Sequence, residues 1–280
     1  MATRSAIFRL LCEAASPLYG DAEARTIAEI ILRDICAVTR NELLVEPNVE
    51  LPFADLERVV ADIKAWRPVQ YITGRVEFFD MALDVTEGVL IPRPETEELV
   101  SWVASEAKRG SRIVDMCTGS GCIALALARS VAGSSVVGVD ISADALNIAR
   151  RNGERYAPHV EFIEGDVLSD MSQLIPYNVD IIISNPPYIP VSDRASMRRN
   201  VTEYEPDIAL FVSDDDPLLF YRSIAHAGRD MLSAGGSLYF EIYESLADDM
   251  CRMLADEGYV DIRLRHDFLD KPRMICARRG

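Results

Sequence analysis

Residues 180–188 have the sequence Asp-Ile-Ile-Ile-Ser-Asn-Pro-Pro-Tyr, an apolar run that stops abruptly at Asn185. Such a run is typical of a strand that is buried on both faces of a sheet. Two consecutive prolines cannot donate to a sheet ladder, so the strand must end there. Open α/β folds bind ligands at the carboxyl edge of the sheet. This corner presents the amide of Asn185, the carbonyls of two prolines without competing N–H groups, and the ring of Tyr188. These groups are suited to binding a planar, nitrogen-bearing group and holding it still.

Strand and helix patterns alternate on both sides of this strand, from Ser111 to the end of the chain. Apolar runs predict seven strands, at residues 113–114, 136–139, 160–163, 180–184, 237–242, 262–264 and 274–277. Helical patterns lie between several of them, at residues 121–129 and 142–151. Strands that are joined by helical crossovers predict an α/β fold with a mostly parallel, doubly wound sheet.

The first part of the chain has only helical patterns. Apolar residues recur at helical spacing at positions 27, 31, 35 and 38, after Asp21 as the expected N-cap. A second run of this kind occupies residues 56–66 and follows Asp55. We therefore expect a small helical domain over residues 1–72, which recognises the substrate, acts as a lid or only stabilises the protein.

Glycine and proline residues mark the boundary between the two parts. Gly74 and Gly88 border a predicted β-hairpin linker, residues 73–92, and the α/β domain follows over residues 93–280. Its first residues include Pro-Glu-Thr at positions 94–96, where we expect Glu95 or Thr96 to begin a helix.

Composition and charge narrow the possible functions. The net charge is −16, from 29 basic and 45 acidic side chains, which suits generic binding to nucleic-acid phosphates poorly. No run of about 18 uncharged apolar residues occurs, and residues 1–9 lack the apolar core of a signal peptide, so we expect neither a membrane span nor secretion. The six cysteines form no Cys-x-x-Cys pair and no His/Cys cluster with metal-ligand spacing. We therefore expect a cytoplasmic protein with reduced thiols and no bound metal.

A glycine-rich turn follows the first predicted strand of the sheet. It has the sequence Asp-Met-Cys-Thr-Gly-Ser-Gly-Cys at residues 115–122. Gly119 and Gly121 permit a tight turn and let a ligand approach the backbone closely. Asp140 ends the second strand about twenty residues later, where a carboxylate can accept both hydroxyls of a ribose. Together the two features predict a nucleoside-binding site.

The charge near this turn bears on which nucleoside binds. Ala124 stands where a dinucleotide fingerprint has its third small residue, so spacing alone leaves a nicotinamide cofactor open. Asp115, however, would repel a pyrophosphate and attract the ammonium of S-adenosylmethionine, which has no phosphate. After the third strand, Asp166 is placed to bind the adenine amino group and Val167 to pack on the ring, although Asp166 also fits a turn-capping role.

Six segments of the chain form a wider pattern, at residues 91–97, 115–121, 139–142, 184–188, 204–210 and 235–241. Together they resemble the release factor glutamine methyltransferases, the PrmC/HemK family, over essentially the full length. Asn-Pro-Pro-Tyr at residues 185–188 also occurs in enzymes that methylate the amino groups of adenine or guanine. Arg-Pro-Glu-Thr at residues 93–96 and Tyr-Glu-Pro at residues 204–206 are far more specific to this family.

The resemblance implies a class I methyltransferase domain with a Rossmann-like, seven-stranded sheet. It implies methyl transfer from S-adenosylmethionine to the side-chain nitrogen (N5) of the glutamine in the Gly-Gly-Gln motif of peptide chain release factors, with S-adenosylhomocysteine as the product. The cofactor-binding residues, by position, are Cys117, Thr118, Gly119, Ser120, Gly121, Asp140, Val167 and Asn185. The glutamine-binding residues are Asn185, Pro186, Pro187 and Tyr188. Many relatives have a glycine at the position of Cys117 and an aromatic residue at that of Val167, so we expect weaker contact with adenine here.

A carboxamide nitrogen is a poor nucleophile because its lone pair is delocalised into the carbonyl. The Asn185 side-chain oxygen and the Pro186 carbonyl are candidates to accept both N–H hydrogens of the substrate and to aim its lone pair at the sulfonium methyl. Tyr188 would pack on or hydrogen-bond this amide, and the prolines would fix the acceptors in advance. Arg93 and Glu95 are further candidates for substrate contact, although packing near the domain boundary explains them nearly as well.

Other functions stay open on these residues. The Cys-Thr-Gly-Ser-Gly turn also occurs in sister enzymes that methylate a glutamine of ribosomal protein uL3, the nearest competing substrate. Amino-methylation of a nucleic-acid base poses the same chemical problem, but the net charge of −16 opposes it. A nucleotide-binding oxidoreductase or a non-catalytic binding module is the remaining class. We expect the chain to act as a monomer on a protein substrate.

Overall fold

A seven-stranded sheet organises the larger part of the computed structural model, which describes residues 2–171, 174–175 and 178–280. Its strands are β1 (Arg112–Met116), β2 (Ser135–Asp140), β3 (Glu161–Glu164), β4 (Val179–Ser184), β5 (Leu232–Glu241), β6 (Tyr259–His266) and β7 (Pro272–Arg279). Their order is β6-β7-β5-β4-β1-β2-β3, and β7 alone runs opposite in direction to the other six strands. The seven predicted strands and the mostly parallel sheet are therefore confirmed.

Helices cover both faces of this sheet. They are α1 (Pro94–Glu106), α2 (Cys122–Ser130), α3 (Ala143–Tyr156), α4 (Leu219–Met231) and α5 (Ala247–Asp256). Successive side chains of β4 point to opposite faces. Ile181 and Ile183 pack in the cluster formed by α1, α2 and α3, whereas Ile182 packs in the cluster formed by α4 and α5. Burial on both faces explains why this strand is apolar throughout.

The predicted helix starts agree with the structure to within two residues. Ser142 caps α3, since its side chain accepts a hydrogen bond from the Ala145 N–H at 3.2 Å. The start of α1 was expected at Glu95 or Thr96, and this was wrong, because the helix begins at Pro94. Proline suits the first helical position, since its ring fixes a helical φ and its missing N–H has no partner there in any case.

Several shorter elements connect the main strands and helices. The predicted hairpin is confirmed, with strands Arg75–Phe78 and Met81–Asp84 joined by two residues of positive φ. Downstream of β4, the strand Ile189–Pro190 pairs in parallel with Phe211–Val212. The remaining short elements are the 3-10 helices Val191–Ser196 and Glu244–Leu246 and the helices Arg199–Thr202 and Asp207–Leu210. None of the described helices has the length and apolarity that crossing a bilayer requires.

A separate helical unit comprises the residues up to Arg75 together with Arg198–Tyr204. Its main helices are Arg4–Tyr19, Asp21–Cys36, Arg40–Val45, Leu56–Lys64 and Val69–Thr73, and a two-residue strand pair joins Ala2–Thr3 to Glu50–Leu51. Asp21 is the first residue of its helix rather than the N-cap, which is Gly20.

The segment Arg198–Tyr204 was expected in the α/β domain. Its contacts are instead with the helical unit. The Tyr204 hydroxyl donates to the Ala65 carbonyl at 2.7 Å, and Arg198 pairs with Glu23 at 3.1 Å. A boundary drawn at residue 72 misses this segment, because sequence patterns show local periodicity and not which distant residues pack together.

Candidate functional site

The carboxyl ends of β1, β4 and β5 lie side by side at one edge of the sheet. Met116 of β1 and Phe240 of β5 both pair with Ser184 of β4. The chain order along the sheet reverses between β1 and β4, and open α/β folds bind ligands at such a switch point. Asn185, which follows Ser184 directly, therefore leaves the sheet next to the glycine-rich turn.

A cavity of about 260 Å³ lies at this edge. Most of the predicted site residues line it, namely Arg93, Cys117, Thr118, Gly119, Ser120, Asp140, Asp166, Val167, Asn185 and Pro187. The others, which are Glu95, Asp115, Gly121, Pro186 and Tyr188, do not line it. The structure thus brings the predicted nucleoside site together with Asn185 and Pro187, two of the residues predicted to bind the substrate amide, at one cavity.

Left-handed backbone shapes the glycine-rich turn. Cys117, Gly119 and Gly121 have φ values of 61°, 55° and 81°. A Cβ at Gly121 would lie 3.0 Å from the Phe162 ring, so a side chain there would crowd this ring as well as strain the backbone. A residue with a side chain in the left-handed conformation of Cys117 costs about 1–2 kcal/mol relative to glycine.

The two cysteines of the turn do not supply thiolate chemistry at neutral pH. Burial raises the pKa of Cys117 above its ordinary value, and it raises the pKa of Cys122 to about 12. Thiols are nucleophiles and metal ligands only when deprotonated. In the part of the chain that the structure describes, no His, Cys, Asp and Glu side chains cluster as a metal site would require.

Asp140 connects the turn to β2. Its Oδ2 accepts a hydrogen bond from the Gly119 N–H at 2.8 Å, and its Oδ1 accepts one from the Ser142 N–H at 2.9 Å. Each carboxylate oxygen has a second acceptor position, so the group remains able to bind two ribose hydroxyls. The two backbone bonds hold its plane fixed at the cavity wall.

Asp166 and Val167 line the cavity beyond β3. The Asp166 Oδ1 accepts from the Leu168 N–H at 2.8 Å, so the turn-capping role is present. The same residue also lines the cavity, and the two roles are compatible because its Oδ2 is not used in that bond. Val167 is buried, and its carbonyl accepts from the Ser223 hydroxyl at 2.6 Å, which anchors this wall to α4.

Asp115 occupies a different place from the one expected. It was predicted to face the cofactor, but it is fully buried behind the turn. Its Oδ2 accepts from the Thr118 hydroxyl at 2.5 Å and from the Ala124 N–H at 3.1 Å, whereas its Oδ1 has no hydrogen-bond partner. Asp115 therefore holds the turn in shape. Sequence reasoning placed it near the ligand because it precedes the glycines, but β1 turns its side chain inward.

Replacing Asp115 with asparagine is expected to change how stability depends on pH. Burial raises the pKa of Asp115 from 3.8 to about 7, so between these values the folded chain keeps a proton that the unfolded chain has lost. The stabilisation by this proton is complete below the unfolded pKa and is lost as the pH rises through the folded one, by about 1 kcal/mol per pH unit. Urea unfolding of both proteins across this range should show the wild type losing stability relative to Asp115→Asn. Parallel pH curves would contradict the assignment.

The Asn185 side chain contacts groups that the sequence did not associate with it. Its Nδ2 donates to the Thr96 Oγ1 at 3.3 Å, and Thr96 in turn bonds to the buried Glu241 at 2.6 Å. Tyr188 was expected to bind the substrate amide, but its hydroxyl bonds to Glu241 at 2.9 Å and its ring stacks on Tyr243. One signal for Glu241 was available, because a single carboxylate at the end of an apolar strand must find partners inside the protein.

Arg93 and Glu205 join two of the segments that carry the family resemblance. Their side chains form a salt bridge at 2.5 Å, and the buried Glu205 also accepts from the Ile91 N–H at 3.1 Å. Packing thus explains part of the role of Arg93, although its side chain also lines the cavity. Glu95 lies in the first turn of α1 and does not reach the cavity, so the structure gives no support to the substrate contact expected of it.

Two known protein families match parts of this chain. The Methyltransferase small domain family matches residues 95–202, and the PrmC N-terminal domain family matches residues 10–74. A release factor glutamine methyltransferase from Bacteroides thetaiotaomicron is 40% identical over 94% of this chain and 95% of its own length. Proteins of the same name from Flavobacterium psychrophilum and Streptomyces coelicolor are 37% and 36% identical, over 94% and 97% of this chain and 94% and 98% of their own lengths.

A solved structure supports the fold independently. The crystal structure of a methyltransferase from Pyrococcus furiosus superposes with a TM-score of 0.54 and covers 81% of this chain and all of its own, at 15% identity. The similarity in sequence runs the length of the chain, and five of the six segments that carry the resemblance contribute residues to the cavity. The chain therefore belongs to the family of release factor glutamine methyltransferases.

Proposed function

We propose that this chain transfers the methyl group of S-adenosylmethionine to the side-chain amide nitrogen of the glutamine in the Gly-Gly-Gln motif of a peptide chain release factor. The observation that carries the proposal is the shared cavity, in which the Gly119 turn and Asp140 face the same space as Asn185. Relatives that cover nearly the whole chain have the corresponding name.

The chemistry of the cavity fits this cofactor. Asp140 offers two fixed acceptors for ribose hydroxyls, and Gly119 leaves the backbone open to close approach. Apolar side chains of Ile141, Val167 and Leu168 line the region beside them, where an adenine ring would pack. When bound, the cofactor supplies an electrophilic methyl group on a positively charged sulfur.

Asn185 is the residue that would orient the substrate. Its side-chain oxygen, with the Pro186 carbonyl as a second acceptor, would bind the N–H hydrogens of the glutamine amide and direct the nitrogen lone pair at the methyl group. Fixed acceptors of this kind cost no reorganisation at the moment of reaction. Holding the two reactants in line contributes up to about 7–11 kcal/mol in well-oriented systems. The methylated nitrogen can lose its proton to water, so the reaction does not require a histidine or lysine base.

We further propose that the protein works as a monomer in the cytoplasm and does not bind nucleic acid. All six cysteines are free thiols, which supports a reducing compartment. The net charge of −16 argues against nucleic-acid substrates.

Mass spectrometry of a release factor after incubation with the purified chain and S-adenosylmethionine tests the proposed activity. We expect one added methyl group on the Gly-Gly-Gln glutamine, because that exposed carboxamide can enter the cavity. The matched control is the same release factor with this glutamine changed to alanine. Ribosomal protein uL3 and nucleic acid are offered in parallel, and methylation of either one without the release factor would overturn the proposal. Binding of reduced nicotinamide in place of S-adenosylhomocysteine would overturn the cofactor assignment.

A further inference from the structure

A chain of hydrogen bonds runs from Asn185 into the protein interior. The Asn185 Nδ2 lies 3.3 Å from the Thr96 Oγ1, which lies 2.6 Å from the Glu241 Oε2. The other carboxylate oxygen of Glu241 accepts from the Tyr188 hydroxyl at 2.9 Å. Thr96 and Glu241 are both buried, with 2% and 1% of their surface exposed. These contacts join α1, β5 and the loop after β4.

The donors and acceptors of these four side chains allow one pattern of hydrogen bonds. When Glu241 is ionised it can only accept hydrogen bonds, so the hydroxyls of Thr96 and Tyr188 both donate to it. Because the single hydroxyl proton of Thr96 is used in the hydrogen bond to Glu241, the Thr96 oxygen can only accept a hydrogen bond from Asn185. The NH₂ end of the Asn185 amide must therefore face Thr96, and its oxygen must point the other way.

From this polarity we propose that Glu241, acting through Thr96, fixes the orientation of the Asn185 amide so that its oxygen is presented to the substrate carboxamide. The proposal rests on the proposed function, which requires an acceptor there. With the amide reversed, its N–H groups would face those of the glutamine, and two donors cannot bond. In this proposal Thr96 and Glu241 are positioning residues because both act through Asn185, although Thr96 also lines the cavity.

The burial of Glu241 supports this interpretation. A carboxylate in a buried strand is costly unless hydrogen bonds compensate for lost hydration. In the described part of the chain, Glu241 forms no salt bridge and is held by the two hydroxyls, while the charge of Arg273 stabilises its ionised form from a greater distance. An apolar residue at the end of β5 would avoid this cost, but it would leave the Thr96 proton free to point at Asn185.

Two substitutions of Thr96 separate orientation from packing. Thr96→Val keeps the shape and removes the hydroxyl, whereas Thr96→Ser keeps the hydroxyl and removes a methyl group. We expect kcat of Thr96→Val to fall about tenfold, the equivalent of one hydrogen bond, and Thr96→Ser to recover most of that loss. A packing role predicts the opposite order. Thr26→Val, at an exposed helix position, is the matched control for the chemical change.

Glu241→Gln provides a second and independent test. A glutamine has both a donor and an acceptor, so it no longer dictates the direction of the Thr96 hydroxyl. In the wild type, burial and the nearby Glu95 raise the pKa of Glu241, whereas the Thr96 and Tyr188 hydroxyls and Arg273 lower it. As the pH falls and Glu241 takes a proton, Thr96 is released and kcat should fall. This acidic limb should be absent from the pH profile of Glu241→Gln.

Hydrogen exchange of the Asn185 side-chain NH₂ group tests the orientation of the amide independently of enzymatic activity. In ¹⁵N spectra, assigned by its loss in Asn185→Ala, we expect slow hydrogen exchange in the wild type and faster exchange in Thr96→Val. If the wild type methylates no release factor, the proposed function fails while this spectrum still tests the orientation. Equal kcat for Thr96→Val and wild type, or unchanged exchange of the Asn185 NH₂, would overturn the inference.

Discussion

Replacing Asn185 with alanine is expected to lower the rate of methyl transfer by roughly 10²-fold, the size of effect seen when one preorganised hydrogen-bonding group is removed from an active site. Affinity for the cofactor should change little, because the turn and Asp140 remain in place. The reason is that the Asn185 oxygen holds the substrate nitrogen in line with the methyl group, and this interaction matters most in the transition state. Single-turnover assays give the rate, and calorimetry with S-adenosylhomocysteine gives the affinity.

Asn147→Ala is the matched control for this change. Asn147 is exposed on α3, so the same chemical substitution there should leave both quantities unaltered. Unaltered turnover in Asn185→Ala would reject the proposed role. If the loss of turnover is fully explained by a loss of cofactor affinity, Asn185 binds the cofactor and does not orient the substrate.

Replacing Asp140 with alanine is expected to weaken binding of S-adenosylhomocysteine by roughly 100-fold, since hydrogen bonds to a charged group contribute about 1.5–3 kcal/mol each and every 1.4 kcal/mol is tenfold. The substitution removes the ribose acceptors. It also releases the Gly119 N–H, which Asp140 holds at 2.8 Å, so the turn loses one of its anchors. Calorimetry measures the dissociation constant directly.

A second acidic residue serves as the control for Asp140. Asp230 is exposed on α4, and Asp230→Ala changes the net charge equally without touching the cavity. Thermal unfolding of Asp140→Ala should confirm that the fold persists. If a folded Asp140→Ala binds S-adenosylhomocysteine as tightly as the wild type does, Asp140 does not bind the ribose.

Local sequence patterns were sufficient to predict the strands and turns that build the site. The apolar run at residues 181–183 predicted β4, because a strand between two helical layers needs apolar side chains on both faces. The prolines after Asn185 predicted its end, and the spacing of Gly119 and Asp140 predicted a nucleoside site. All of these features depend on neighbours in the chain or on strand ends that any parallel sheet brings together.

Such patterns could not predict the direction in which each side chain points. Asp115 was expected at the ligand and lies behind the turn. Tyr188 was expected to pack on or hydrogen-bond the substrate amide, and its hydroxyl bonds instead to Glu241. Which face of a turn a side chain takes depends on what packs behind it, and the residues that pack there come from other elements.

The sequence by itself therefore determined the sheet, the glycine-rich turn and the presence of an amide at the end of β4. The tertiary structure alone decided how that amide is held, since Thr96 and Glu241 are 145 residues apart and meet only when α1 packs beside β5. Periodicity reflects contacts within a helix or strand, whereas a hydrogen bond between distant residues exists only after hydrophobic burial has brought their elements together.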